Sequence, residues 1–420
     1  MLRLRWEVWF ALRERAVWVT LLLAFCASLA AVVAGVQSVS KERLLLQQLR
    51  QSNDAERALV VDTSSDAGDL AYGAFHLTYD PPSSLAFAAT GTRDSLPFRH
   101  RIRMLALEGQ IYEADVGNPE LSLNGRLDFA FIAAVLMPLM LIFLLHDSEA
   151  GERRAARHDL LCVTATQGKR LFTLRALLRG LLLWLVVVIP FIPAAIVEGV
   201  SAVGGLTVLG ITGFNMLFWL LICRFVVGRI DAGPTCAVCL LGVWLALAVL
   251  LPATGRLVAR GLVDVPLGGA LLLAQREAVN DAWDLPKEDT MAPFIQRHPQ
   301  WESSSAVEKP FEWKWYFAFQ QVGDQTVETS SQMLRDGITQ RDRLMSYLSM
   351  ISPPLLTERW MNRTAKTDVA SFHRYETCVR AFHASLRNHY YPMLFGEQSL
   401  GDDEKVELPT FSPCNKVAPT

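Results

Sequence analysis

The chain has 420 residues, of which 51% are apolar and 20% charged, with a net charge of −2 and a mean hydropathy of +0.24. That balance excludes a wholly water-embedded globule, because the apolar residues fall in long uninterrupted runs, and the charges fill the blocks between them. The small net charge says nothing about partners, since the charges are segregated by side of the membrane.

Residues 2–18, LRLRWEVWFALRERAVW, alternate Arg with Trp and Phe. This pattern fits an amphipathic helix in the headgroup region, or the interfacial anchor of the span that follows. The first apolar run is 17–36, and others follow at 128–145, 176–197, 205–223 and 235–252. Each is close to the roughly 20 residues that a helix needs to cross a ~30 Å hydrocarbon core. Continuous apolarity without alternation selects helices, whose backbone groups are satisfied internally. The basic front of the first run has some features of a signal peptide, but its length favours a retained anchor.

Basic residues sort the loops. Arg3, Arg5, Arg13 and Arg15 precede the first span, and Arg153, Arg154, Arg157, Lys169, Arg170 and Arg175 lie between the second and third. Arg224 and Arg229 follow the fourth span, whereas 198–204 contains no Lys or Arg. The positive-inside rule places the N-terminus, 146–175 and 224–234 in the cytoplasm, and 37–127 and 253–420 outside.

Four sections are expected: 1–36 with the interfacial helix and first span, 37–127 as a first outer region, 128–252 with spans two to five, and 253–420 as a second outer region. The fold class is all-α and polytopic, with about five transmembrane helices and two mainly helical outer regions. Residues 40–59 read as helix, whereas Asp80–Ser84 and Gly91–Pro97 read as loop. In the second outer region the pattern predicts helices over 267–284, 311–349 and 368–391. Pro353–Pro354 stop the second of these, and turn residues dominate 392–420.

Pro138 breaks span two, and Pro190 with Pro193 break the outer end of span three; such breaks free backbone carbonyls. Span four carries Gly210, Thr212, Gly213 and Asn215, residue types that serve either helix packing or a translocation route. Pro138, Thr212 and Asn215 are the candidates for that route. Cys26, Cys223, Cys236 and Cys239 sit in or beside spans as packing residues, and Cys162 is cytoplasmic and free. Cys378 and Cys414, both outside, are candidates for a disulfide. His373, Cys378, His383 and His389 have spacings that do not share a helix face, so no metal site is expected. No phosphate-binding glycine loop, zinc-binding histidine pair or nucleophile elbow is present, and the chain is not expected to be an enzyme.

The loop 146–175 has a charged start, an apolar patch and a Gly168-Lys169-Arg170 corner into span three. A short amphipathic element of this kind inserts its apolar side into a partner's groove while its charges set orientation. The other reading is an ordinary basic loop.

Asn118-Pro119, LSLNGRLDFAFIAAVLMPLMLIFLL at 121–145, Leu251-Pro252, AQREAVNDAW at 274–283 and SPPLLTERWMNRTAKTDVASFHRY at 352–375 carry a resemblance. Together they resemble the permease subunit of a bacterial ABC-2 type exporter, in the subgroup with large extracytoplasmic insertions (DUF3526-type permeases). The resemblance implies a multi-pass inner-membrane protein with a cytoplasmic N-terminus. Its 146–175 loop would dock on a separate ABC ATPase subunit through Glu149, Glu152, Arg153, Arg154, Leu160 and Leu161. It also implies a second permease subunit, alike or different. ATP and magnesium would be bound by the ATPase, leaving this chain without a cofactor, and no nucleic-acid partner is expected. Two departures stand out. Glu149 and Glu152 are followed by Ala-Gly and Arg-Arg where the family has Gly-Thr. A sixth span after a segment like LPTFSP (408–413) is missing, so five spans and an outer C-terminus are expected. The alternative function is an extracytoplasmic sensor or assembly scaffold that binds a partner through 253–420.

Overall fold

The computed structural model describes residues 13–113, 127–164, 168–396 and 408–413. Five helices in it are long and apolar enough to cross a membrane: α1 (Arg15–Thr63), α2 (Phe129–Arg154), α3 (Arg170–Val197), α4 (Ala202–Val227) and α5 (Gly233–Leu262). After them come α6 (Gly268–Asp281), α7 (Lys287–Arg297), α8 (Trp313–Ser349), α9 (Pro353–Ala365) and α10 (Val369–Leu394). The only sheet among the described residues is an antiparallel pair, β1 (His76–Tyr79) and β2 (Arg99–Ile102). The protein is an all-α polytopic membrane protein. The end of the span bundle that carries α6–α10 is called the domain side below, and the end that carries 146–175 the loop side.

The 49 residues of α1 make a rod of about 74 Å, more than twice the ~30 Å of a hydrocarbon core. No proline interrupts the stretch from the first apolar run into 40–59, so span and outer helix are one continuous element. Its far half is built into the domain. Asn53 donates to the Phe75 carbonyl at 2.8 Å and accepts from Leu77 N at 3.0 Å, bonding the edge of β1 as a neighbouring strand would. Arg93 bonds Glu42 on α1 at 2.8 Å and Asp80 at 2.9 Å.

The two outer regions read from the sequence fold as one body. Glu108, from the first, accepts two bonds from Arg380 on α10, at 2.8 and 2.9 Å. Asp324 on α8 caps the helix Leu107–Tyr112 through Leu107 N and Glu108 N. The core is aromatic: Trp283 packs edge-on against Trp315 and Phe319, and Trp315 donates to Thr290 at 2.8 Å. The helices expected at 267–284, 311–349 and 368–391 correspond to α6, α8 and α10. Sequence reasoning missed α7, α9 and the hairpin. Pro353–Pro354 do end α8, but they also open α9, since proline at the first turn of a helix forfeits no hydrogen bond.

Two segments plug the domain side of the bundle. Residues 85–89 are buried among the spans, where Phe87 stacks on Phe191 at 5.6 Å and Phe191 on Phe129 at 5.2 Å. α9 packs against α4, the first turns of α2 and residues 246–250 of α5, with Met361 and Ala365 in the same core as the spans. Residues beyond 253 are thus not all separate from the bundle, as the hydropathy pattern had implied.

Gly35 is where α1 meets the first plug: a Cβ there would lie 2.0 Å from the Phe87 carbonyl oxygen. Gly35→Ala is therefore expected to push helix and plug apart at a cost of about 1–3 kcal/mol, read as a lowered thermal midpoint of the purified protein in detergent. An unchanged midpoint would contradict this packing.

Candidate functional site

Two places in the bundle combine irregular backbone with buried polar groups. The first is the proline break. α2 contains a π-helical turn at Ile132–Leu136, just before Pro138, and α5 contains one at Ala246–Leu250, just before Pro252. Proline has no N–H, so the carbonyls four and five residues earlier lose their helical donor, and the wider turn makes room for the ring. For Pro138 these are Ala134 and Ala133, and Asn215 of α4 donates to both, at 3.3 and 2.9 Å. Trp244 of α5 donates to the adjacent Val135 carbonyl at 3.0 Å. For Pro252 the carbonyl five residues back is Leu247, and Ser352, at the start of α9, donates to it at 2.7 Å.

Each missing amide is thus replaced by a side chain from another element. Unpaired backbone in hydrocarbon costs several kcal/mol, so these donors hold the breaks in place. The structure brings Pro138 and Asn215 together and leaves Thr212 one turn away. There Thr212 accepts from Trp184 of α3 at 3.0 Å. Thr212 and Asn215 are fully buried, and their bonds join helices of this one chain. For both, the geometry supports the packing role rather than a lined route. Pro190 ends the regular part of α3 and caps Phe191–Val197.

The second place is the loop side, where ion pairs tie together the ends of all five spans. Glu149 accepts from Arg224 of α4 at 2.5 Å and from Arg153 at 3.4 Å. Arg153 also bonds Asp231, which precedes α5, at 2.8 Å. Glu152 accepts from Arg175 of α3 at 3.2 Å and from Arg157 at 2.9 Å. Arg179 of α3 donates to the Leu144 carbonyl and to Glu14, the N-cap of α1, both at 2.8 Å. Arg154 pairs with Asp147 at 2.5 Å and stays mostly exposed.

The docking residues expected from sequence therefore divide. Glu149 and Glu152 face inward as acceptors, with side chains 6% and 11% exposed, and Arg153 joins them. Facing outward are Arg154 and the short helix His158–Thr164, whose Leu160 and Val163 are 64% and 84% exposed. Three residues apart, these two share a helix face; Leu161 is half-buried behind them. Val163 was in the apolar patch read from the sequence but not among its chosen contacts. The acceptor roles were missed because Arg175 and Arg224 were read only as topology signals and Asp231 was not singled out. The available clue was three acids, Asp147, Glu149 and Glu152, immediately before Arg153, Arg154 and Arg157.

In the domain interior, His373 sits 3.4 Å from Glu376, and His383 bonds the Arg103 carbonyl at 3.1 Å. Cys378 is disulfide-bonded; Cys414, its expected partner, lies outside the described residues, as do Asn118-Pro119 and 121–126. Cys26, Cys162, Cys223, Cys236 and Cys239 are free.

Fold and site together define a multi-pass membrane protein whose span bundle carries a large helical domain at one end and a tied, partly exposed loop at the other. Residues 270–413, from α6 to the last described segment, match a family described as a domain of unknown function, DUF3526. No curated protein and no solved structure matches the chain.

Proposed function

We propose that the protein is the permease subunit of an ATP-driven ABC-2 type exporter, lying in a bacterial inner membrane with its loop side in the cytoplasm. A separate ABC ATPase subunit binds ATP and magnesium and docks on the helix His158–Thr164. A second permease subunit completes the translocation route. The observation that carries this reading is the exposed Leu160–Val163 face on a short helix joined through α2 to an ion-pair lattice spanning every transmembrane helix. A push on that helix reaches all five spans at once. The resemblance at 121–145 and 352–375 supports it.

In this reading, nucleotide binding shifts an existing equilibrium of the bundle, so the ATPase must contact the two states differently. The lattice has a discrete geometry to exchange, and the side-chain donors at Pro138 and Pro252 let α2 and α5 bend without stranding carbonyls. Ser352 links the domain to that bend in α5.

The test uses protein purified from its native membranes. An ATPase carrying a phosphate-binding glycine loop is expected to accompany the chain, and Leu160→Asp with Val163→Asp to remove it by at least about tenfold without lowering thermal stability. Two lost apolar anchors are worth at least that factor. Recovery of the chain without any nucleotide hydrolase would end this reading.

A further inference from the structure

Between α1 and α2, toward the domain side, runs a groove of about 710 Å³. Its apolar walls are small on one side and branched on the other: Ala30, Ala31 and Ala34 of α1 against Ile132 and Leu136 of α2. The mouth is polar. Lys41 stands there on α1, with Ser38 below it, and Asp128 with Thr90 stand opposite. Lys41 has no ion-pair partner among the described residues, whereas Asp128 is held by Phe131 N at 2.8 Å and Thr90 N at 3.0 Å.

Three features identify the occupant. The first is depth. From Ala27 to Gly35 α1 rises about 12 Å, within the ~15 Å of one leaflet's hydrocarbon, and Lys41 lies about 9 Å further along, at headgroup height. The second is width. Over the roughly 21 Å from Ala27 to Lys41, a volume of about 710 Å³ makes a long, narrow trough. A trough of that shape suits an extended hydrocarbon chain. The third is charge: a cation and an anion face each other across the mouth, the complement of a headgroup with one phosphate and one ammonium.

We infer that this groove binds a glycerophospholipid with a zwitterionic amino headgroup. Its acyl chain lies along Ala30 and Ala34, its phosphate meets Lys41, and its ammonium meets Asp128. The inference requires only that the bundle sits in a bilayer, and it holds whether or not the chain is a transporter subunit.

The experiment takes the full chain, reconstituted in an equimolar mixture of phosphatidylethanolamine and phosphatidylglycerol, then delipidated in detergent and weighed intact by native mass spectrometry. Retention of one phospholipid per chain, ethanolamine-headed in preference to glycerol-headed, is expected. Ala34→Phe, and independently Ala30→Phe, should each lower retention about tenfold, the worth of about two buried CH₂ groups. Both positions are exposed to the groove, and an unchanged thermal midpoint confirms folding. Lys41→Glu should lower retention of both lipids, because both carry the phosphate that it meets. A photoreactive side chain at position 34 should label lipid. Retention in both Phe variants equal to that of the parent, absence of headgroup preference in the parent, or labelling of a second protein copy from position 34 would each overturn the inference.

Discussion

Lowering the pH from about 7.5 to about 5 is expected to remove about 6 kcal/mol from the stability of the helical domain, through three buried histidines. His76 on β1, His100 on β2 and His383 on α10 are each less than 5% exposed. Burial pushes His76 down to about 3, reinforced by Arg57 on α1. Burial likewise pushes His100 to about 4, against the pull of Glu376, and His383 to about 3, with Arg387 adding repulsion. All three folded values lie below the ~6.5 of an unfolded histidine. Between that value and about 3–4 the unfolded chain binds more protons than the folded one. The stability is therefore complete above pH ~6.5 and declines as pH falls, by about 2 kcal/mol per histidine at pH 5.

A domain that starts from a typical 5–15 kcal/mol is left marginal. Tryptophan fluorescence of the full chain in lipid nanodiscs, followed against denaturant at both pH values, measures the loss, because Trp301 and Trp315 are buried in the affected core. His76→Phe removes one titrating group and keeps a ring that can pack edge-on against Phe382, as the imidazole does. It should recover about 2 kcal/mol at pH 5 relative to its effect at pH 7.5. The same pH dependence in parent and variant would refute the assignment.

Glu149→Ala should cost about 3 kcal/mol, the lower end for breaking a buried pair, because Arg224 keeps a quarter of its side chain exposed. The loss comes less from the missing attraction than from Arg224 and Arg153, left beside one another without their shared acceptor. The double variant Glu149→Leu with Arg224→Leu removes both charges and should recover most of the loss, since apolar replacement of a buried pair is often close to neutral. Thermal midpoints of the three proteins in one detergent decide it: a double variant no more stable than Glu149→Ala would place the cost elsewhere. Charge reversal at Arg153 should also destabilise the bundle, since it sets a third acid against Glu149 and Asp231, whereas the uncharged side chains of Leu160 and Val163 are mostly exposed. The apolar face, rather than the arginines, is therefore the cleaner probe of docking.

The spans, the helical outer segments and the basic loop were legible because each rests on a pattern local in sequence. Some 20 apolar residues mean a span, 3.6-residue periodicity means an amphipathic helix, and clustered arginines mark the loop between spans two and three. The short hairpin and α7 were not legible, since four-residue strands and an eleven-residue helix containing Pro293 carry weak local signals. Pro138 and Asn215 were both marked as irregular, yet nothing in their neighbourhoods says that one supplies the donor the other lacks. They are 77 positions apart. The same holds for Pro252 and Ser352, and for Glu149 and Arg224.

By itself, the order of residues determined that this chain crosses a membrane as helices, because water and hydrocarbon sort side chains by composition over one span length regardless of what the rest of the chain does. Only the tertiary structure decided which irregularities are closed by which donors, which charges of the loop turn inward, and that a lipid-sized groove lies between α1 and α2. Those outcomes depend on distances between elements far apart in sequence, and hydrogen bonds and ion pairs act only over a few ångströms.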